Sequence, residues 1–197
     1  DSLPSRGLGD VYKRQVNYRF PQLNLLLRED TTTNLLQALR HGELDVLILA
    51  LPVEIEGMES RVVGQDPFRM VISANQADSV PVPIRYADLP DESVFLLEKE
   101  HCLTEHAVSA CKLTDKEKIN PFTATSLHTL VQMVANGLGT TFIPQMAIDH
   151  GLLHNQNLVV IDPPGQQAYR DIGLVWRPSS SRSNTFNQLA EVVSELL

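Results

Sequence analysis

Apolar and polar positions form successive blocks along the chain, and these blocks predict strands and helices in turn. Leu23–Leu27 and Val46–Leu51 are short aliphatic runs that predict strands. Between them, Asn34–Arg40 has the periodicity of a helix, which ends at Gly42. Because the second aliphatic run is continuous, we expect it to be buried on both faces of a parallel sheet, and Pro52 closes it. The regular part of the chain therefore begins as strand, helix, strand.

The same alternation continues to the end of the chain. Further strands are predicted at Phe68–Ile72, Val94–Leu97, Thr140–Ile143, Leu158–Ile161 and Ile172–Trp176. Further helices are predicted over Leu103–Leu113, Leu127–Asn136 and Ser183–Leu197. Thr125 and Ser126 precede the middle one as candidate N-cap residues. Strands that alternate with helices predict an α/β fold with mostly parallel sheets.

Composition and charge narrow the class of protein. The chain has 197 residues, of which 43% are hydrophobic, and a formal net charge of -8. This is enough to bury the core of one large domain or two small ones. The longest aliphatic run is far shorter than the roughly 18 to 20 residues that span a bilayer, so we expect no membrane segment. The negative charge repels nucleic-acid phosphates, so the chain by itself is not expected to bind DNA.

The first fifteen residues differ from the rest. Asp1–Gln15 shows the period of neither a helix nor a strand, and it lacks the apolar region of a signal peptide. We expect residues 1–15 to be a non-native leader in front of a truncated gene. Removing them takes away three basic and two acidic residues, so the acidic character of the chain does not depend on them.

The most specific chemical feature is the pair Cys102 and Cys111, which are nine positions apart, with His101 next to the first. On one continuous helix, nine residues rise about 13.5 Å and turn through about 900°, which places the two thiols on opposite faces. A disulfide needs Cα atoms roughly 4.4 to 6.8 Å apart. The cysteines can therefore join only if the segment between them is not a helix, or stops being one. If Cys102 begins a helix, the positive end of the helix dipole and a protonated His101 would favour its thiolate.

Other interpretations of these residues stay open on spacing alone. The cysteines could be two unrelated buried residues that behave as small hydrophobic side chains. A zinc site from His101, Cys102, His106 and Cys111 is weaker, because that spacing is not one of the usual structural patterns. We expect neither a metal nor a cofactor.

Several segments together carry a family resemblance. Glu100-His101-Cys102-Leu103 through Cys111, followed by Ala124–Leu127 and by Gly137-Leu138-Gly139 up to Pro144, resembles the regulatory domain of the OxyR group, the peroxide-sensing LysR-type transcriptional regulators. Leu39–Leu49 and Ile172–Pro178 are similar to LysR-type effector domains in general. The resemblance covers about Val16–Leu197, and the cysteine spacing is what separates the OxyR group from its relatives.

The resemblance implies a fold like that of periplasmic binding proteins: two Rossmann-like α/β subdomains joined by two crossover strands. Residues 16–66 and 172–197 would form regulatory subdomain I, without the family's first strand. Residues 67–171 would form regulatory subdomain II, which carries the redox cysteines.

The resemblance also implies roles for individual residues. Cys102 matches the peroxidatic cysteine and Cys111 the resolving one, so that a sulfenic acid on Cys102 would condense with Cys111 to a disulfide. Thr32 matches a threonine that holds peroxide, although a polar loop or cap residue is its ordinary interpretation. His101 and Arg170 match residues beside the peroxidatic cysteine, where the fixed charge of Arg170 would favour the thiolate.

Two further residues and the partners follow from the same resemblance. Thr125 and Ser126 lie where many LysR-type domains bind their ligand at a helix N-terminus, and a plain cap is an equally good interpretation. The resemblance implies a cytoplasmic activator that is not an enzyme, forms a homodimer or tetramer, and is reduced by a thiol system such as glutaredoxin. It would contact DNA only through an N-terminal domain outside this chain. Two alternatives stay open: a LysR-type domain that senses a small organic ligand, and a thiol peroxidase that uses the same cysteines.

Overall fold

The computed structural model describes residues 18–77, 84–98, 102–163, 168–195 and 197. The predicted leader, residues 1–15, lies outside the described residues. The chain divides into two compact units: Pro67–Tyr169 forms the first, and the described residues before Pro67 together with Arg170–Leu197 form the second. The chain passes from one unit to the other twice, within strands β2 and β7. The predicted α/β class with two crossover strands is confirmed.

Strands and helices follow one another along the described residues. The strands are β1 (Val46–Leu51), β2 (Glu59–Ser73), β3 (Val94–Leu97), β4 (Ile119–Ala124), β5 (Thr140–Pro144), β6 (Leu158–Ile161) and β7 (Tyr169–Trp176). The helices are α1 (Thr32–His41), α2 (Ala74–Ala77), α3 (Cys102–Ala110), α4 (Leu127–Ala135), α5 (Gln145–Asp149) and α6 (Ser183–Ser194). No helix in these described ranges is both long and apolar enough to cross a membrane.

The unit Pro67–Tyr169 is a sheet with helices on both faces. Its strand order is β2-β5-β3-β4, with β6 paired to β2. Side chains on a strand alternate between the faces: Leu96 and Phe142 belong to the buried cluster that also contains Ala107 of α3. Phe95 and Ile143 belong to the cluster with the apolar side of α4. Helices α3 and α4 therefore cover opposite faces of one sheet.

The other unit is built around β1 and β7. These strands pair antiparallel, from Val46 opposite Trp176 to Leu51 opposite Asp171. Helix α1 packs Leu36 and Leu39 against Leu47, Leu49 and Val175. The ring of Trp176 lies 5.9 Å from that of Phe186 in α6.

Three sequence predictions about strands are wrong. The sheets are mixed: β3 runs parallel to β4 and β5, whereas the β1–β7, β2–β5 and β2–β6 pairs are antiparallel. Strand β1 is not buried on both faces, since Ile48 is 49% exposed. Leu23–Leu27 is not a strand. A strand needs a neighbour for its backbone N–H and C=O groups, and no described strand pairs with this segment.

The other predicted elements are found, most within a few residues of their expected bounds. Helix α1 ends at Gly42, which has a left-handed φ of 82°, and β1, β3 and β6 match their predicted ranges. Strand β2 is much longer than expected, and β4 was missed altogether.

Candidate functional site

A nine-residue helix separates the two cysteines. Helix α3 begins at Cys102 and ends at Ala110, and the N–H of Cys111 donates to the carbonyl of Ala107 at 2.9 Å. At about 1.5 Å per residue, the two cysteines are separated by about 13.5 Å along the helix axis, which is beyond the Cα separation of any disulfide. A bond between Cys102 and Cys111 therefore requires α3 to unwind.

Cys111 is held at the end of α3 by a Schellman-type C-cap. The N–H of Leu113 donates to the carbonyl of Val108 at 3.0 Å, and that of Lys112 donates to the carbonyl of Ser109 at 3.2 Å. Lys112 adopts a left-handed φ of 51°, which costs a residue other than glycine about 1 kcal/mol. The helix end that positions Cys111 thus contains one strained residue.

The Cys111 thiol is free and lies in an apolar environment. The residue is only 3% exposed and belongs to the cluster that contains Ile84 and Phe142. Burial raises the pKa of the Cys111 thiol to about 12, and the neighbouring Tyr86 hydroxyl offsets part of that rise. Cys111 is therefore a protonated, unreactive thiol as long as α3 is folded.

Tyr86 is the polar neighbour of this thiol. Its ring packs against the same apolar cluster, and burial raises the pKa of its hydroxyl. Although the hydroxyl is close enough to the sulfur for each to influence the pKa of the other, it makes no hydrogen bond of normal geometry among the described residues. Tyr86 and Cys111 thus form a polar pair without good hydrogen bonding inside an apolar cluster.

The first turn of α3 is attached to the sheet by Thr104. Its hydroxyl donates to the carbonyl of Leu97, at the end of β3, at 2.9 Å. Beneath the helix, Leu103, Thr104 and Ala107 line a small cavity whose other walls come from β3, β5 and α4. His101 lies outside the described residues, and the described part of Cys102 is its backbone. Assistance to the thiolate by His101 stays a prediction.

Thr125 and Ser126 lie at the N-terminus of α4. The Ser126 hydroxyl accepts a hydrogen bond from the N–H of Thr129 at 3.2 Å and is 3.0 Å from the Thr129 hydroxyl. Ser126 is therefore the N-cap of α4, as predicted from the sequence, whereas Thr125 is exposed. A ligand-binding role for either residue stays a prediction.

The remaining predicted site residues, Thr32 and Arg170, belong to the other unit. Thr32 is the half-buried first residue of α1, next to the actual N-cap, Thr31. Arg170 donates from Nε and Nη2 to one carboxylate oxygen of Asp66, at 3.0 and 2.8 Å. Asp66 has no exposed surface. Because its charge is paired, Arg170 would affect a nearby thiolate less than an isolated arginine would.

The zinc alternative stays untested, because His101 and the Cys102 side chain lie outside the described residues. Within the described ranges, no three His, Cys, Asp or Glu side chains are grouped so that they could hold a metal ion. Of the proposed ligands, Cys111 lies among apolar side chains, which suits a thiol and not a metal centre.

The sequence did not reveal two residues that contact predicted site residues, one in each unit. Tyr86 is 25 positions before Cys111, and Asp66 is 104 positions from Arg170. Neither belongs to a local motif. The position of an acidic residue at the predicted boundary between the subdomains was the one sequence signal that could have drawn attention to Asp66. No such signal pointed to Tyr86.

Comparisons with known proteins agree with the resemblance. A family model described as the LysR substrate binding domain matches residues 14–197. The solved reduced form of the regulatory domain of OxyR2 from Vibrio vulnificus is 86% identical, covers 98% of this chain and 91% of that one, and superimposes with a TM-score of 0.94. The DNA-binding transcriptional dual regulator OxyR of Escherichia coli K12 is 34% identical over 174 residues, which are 88% of this chain and 57% of that protein.

A second curated relative is the HTH-type transcriptional regulator EstR of Acinetobacter baylyi, which is 31% identical over 183 residues, 92% of this chain and 60% of that protein. The chain thus spans 60% or less of the length of these curated relatives. The family match covers nearly all of the chain, and the likeness to the OxyR2 regulatory domain covers both units. The chain belongs to the LysR substrate-binding domain family and is similar to OxyR regulatory domains.

Proposed function

We propose that this chain is the regulatory domain of a transcription activator that senses hydrogen peroxide through Cys102 and Cys111. The observation that carries the proposal is the position of the cysteines at the two ends of α3. Since they cannot join while the helix is folded, a disulfide between them would report oxidation as a change of backbone structure.

The chemistry balances with peroxide as the two-electron oxidant. The Cys102 thiolate attacks one peroxide oxygen, the O–O bond breaks, and a sulfenic acid forms on Cys102 while hydroxide leaves; the hydroxide takes up the proton that the Cys102 thiol had released and becomes water. The Cys111 thiol then displaces the sulfenic hydroxyl as a second water, and the S–S bond forms. Two electrons and two protons from an external thiol, such as the glutathione and glutaredoxin system, return both cysteines to thiols.

The helix supports the assignment of Cys102 as the first cysteine to react. As the first residue of α3, it lies at the positive end of the helix dipole, where a thiolate is favoured. Cys111 is buried and protonated, so it suits the second step, after α3 has opened. The relatives named as hydrogen peroxide-inducible genes activators support peroxide as the oxidant.

The partners in this proposal extend beyond the chain. DNA would be bound by an N-terminal domain of the longer protein, since the curated relatives extend well past the matched segment. The working form would be a cytoplasmic homodimer or tetramer. Thr32, His101 and Arg170 are proposed to hold peroxide or favour the thiolate. Thr125 and Ser126 are proposed to contact a ligand only if the domain binds a small molecule in addition.

The direct test is mass spectrometry of the chain after one equivalent of hydrogen peroxide. The expected product has lost two hydrogen atoms and contains a peptide pair joined through Cys102 and Cys111. Cys111→Ser should stop at the sulfenic acid, which dimedone traps, and Cys102→Ser should stay unmodified. If both thiols of the parent chain stay free, the proposal is wrong.

The same variants separate the alternatives. A domain that responds to an organic ligand and not to peroxide would keep its response in Cys102→Ser. A thiol peroxidase would consume many equivalents of peroxide per chain when supplied with a reductant, whereas a sensor is expected to be oxidised once and then reduced slowly.

A further inference from the structure

The Tyr86 hydroxyl occupies an unfavourable position. The ring packs into the apolar cluster around Cys111 and lies 5.9 Å from the ring of Phe142, at an interplanar angle of 55°. The hydroxyl oxygen is buried and, among the described residues, makes no hydrogen bond of normal geometry. A buried hydroxyl without a partner destabilises the fold that contains it.

Among the described residues, the Cys111 thiol adjoins this hydroxyl within range of a weak hydrogen bond. A thiol is a weak donor and a weak acceptor, so it replaces little of what water would supply. The Tyr86 hydroxyl therefore destabilises the chain only while Cys111 is buried beside it. When α3 unwinds and Cys111 leaves the cluster, water can enter the space and solvate the hydroxyl.

We propose that Tyr86 is a positioning residue that favours the release of Cys111 from its buried site and thereby favours the disulfide. This inference rests on the proposed function, because it assumes that Cys111 joins Cys102. Among the described polar groups, the Tyr86 hydroxyl is in contact with Cys111. It should therefore change the equilibrium of the disulfide and leave the reaction of Cys102 with peroxide as it is.

The test is the equilibrium of the chain with glutathione, in which one protein disulfide and two glutathione thiols exchange with two protein thiols and one glutathione disulfide. Tyr86→Phe keeps the ring and removes the hydroxyl. We expect it to shift the equilibrium constant about five-fold or more toward the protein dithiol, as removal of a buried hydroxyl without a good hydrogen bond predicts. Tyr169→Phe is the matched control, since Tyr169 is 46% exposed; it should leave the constant unchanged.

A second measurement distinguishes this effect from a general change of the cluster. In the Cys111→Ser background, the rate at which peroxide forms a dimedone-trapped sulfenic acid on Cys102 should be the same with and without the Tyr86→Phe substitution. Phe142→Leu, which disturbs the cluster without altering a polar group, should lower the stability of the reduced fold, whereas Tyr86→Phe should raise it.

The outcomes separate this inference from the proposed function. If the parent chain forms no bond between Cys102 and Cys111, the proposed function fails and the inference fails with it. If the parent forms the bond and Tyr86→Phe has the same equilibrium constant within two-fold, or a constant shifted toward the disulfide, the inference about Tyr86 alone is overturned.

Discussion

The ion pair between Arg170 and Asp66 gives the sharpest stability prediction. Asp66 has no exposed side-chain surface, whereas the Arg170 side chain is 17% exposed. Arg170→Met would remove the Arg170 cation from the buried carboxylate, and breaking such a pair costs about 3 to 5 kcal/mol. Because the Arg170 side chain is partly exposed, we expect a loss near the low end, about 3 kcal/mol.

Urea unfolding of the reduced chain, followed by far-UV circular dichroism, measures this loss. Asp66→Asn should lower the free energy of unfolding less than Arg170→Met does. Adding Asp66→Asn to Arg170→Met should raise the free energy of unfolding again by at least about 1 kcal/mol, because the buried carboxylate charge is then removed. Arg182→Met is the matched control, since the Arg182–Asp45 pair is mostly exposed and should matter by no more than about 1 kcal/mol.

A loss below about 1 kcal/mol for Arg170→Met, or no recovery in the double variant, would contradict the argument. The result also bears on the proposed role of Arg170 near the peroxidatic thiolate. If the loss is as large as expected, a missing peroxide response in Arg170 variants must first be corrected for unfolding before it is assigned to the thiolate.

Four further predictions concern the unit Pro67–Tyr169, which contains both cysteines. Ser126→Ala should remove the N-cap of α4 and lower the free energy of unfolding by about 1 kcal/mol, whereas Thr125→Ala should have little effect in the same urea titration. Lys112→Gly should stabilise the reduced fold by about 0.5 to 1 kcal/mol, because glycine adopts a positive φ without strain; equal or lower stability would argue against strain there. Burial raises the pKa of the Cys111 thiol to about 12. At about pH 8, just below the ordinary thiol pKa, iodoacetamide should therefore alkylate Cys111 in urea but not in the native chain, and mass spectrometry measures the difference. The pKa of the Cys111 thiol is thus higher in the folded chain than in the unfolded chain. Its contribution to the free energy of unfolding should be complete below the unfolded pKa of about 9 and be lost as the pH rises toward 12.

The success of the sequence predictions depended on whether the signal was local. Helix α1 and strand β1 could be predicted closely because their periodicity and the turn at Gly42 are contained in the segments themselves. Strand β4 was missed because Asn120 and Pro121 are unusual in a strand; the position of β4 at the edge of its sheet is what tolerates them. Leu23–Leu27 shows the converse: an aliphatic run records which residues could form a strand, but not whether a partner strand lies beside it.

The residues of the candidate site also differ in whether their signal is local in the sequence. The helix between Cys102 and Cys111 could be predicted from a short segment, because helix geometry depends on spacing, whereas the redox roles of the two cysteines follow from the family resemblance and stay a prediction. Tyr86 and Asp66 could not, since each acquires its importance from a side chain that only the folded chain brings close. Burial gives the polar groups of Tyr86 and Asp66 a large effect on stability, and no sequence pattern predicts the burial of a single polar atom.

Helix α3 can unwind without unfolding the sheet on which it packs. With nine residues, it is shorter than the roughly 12 to 15 that even favourable sequences need for a helix in isolation, so it depends on packing against the sheet. That packing is limited among the described side chains of α3: Ala107 is fully buried, Leu103, Val108 and Ala110 are half-buried, and a small cavity lies beneath. The sheet core below, with Val94 and Phe142 at 0% and 2% exposure, is also held by its own strand pairs. Unwinding α3 should therefore expose few apolar side chains and leave the β-sheet intact. A single covalent bond between Cys102 and Cys111 can then be sufficient to hold the opened form.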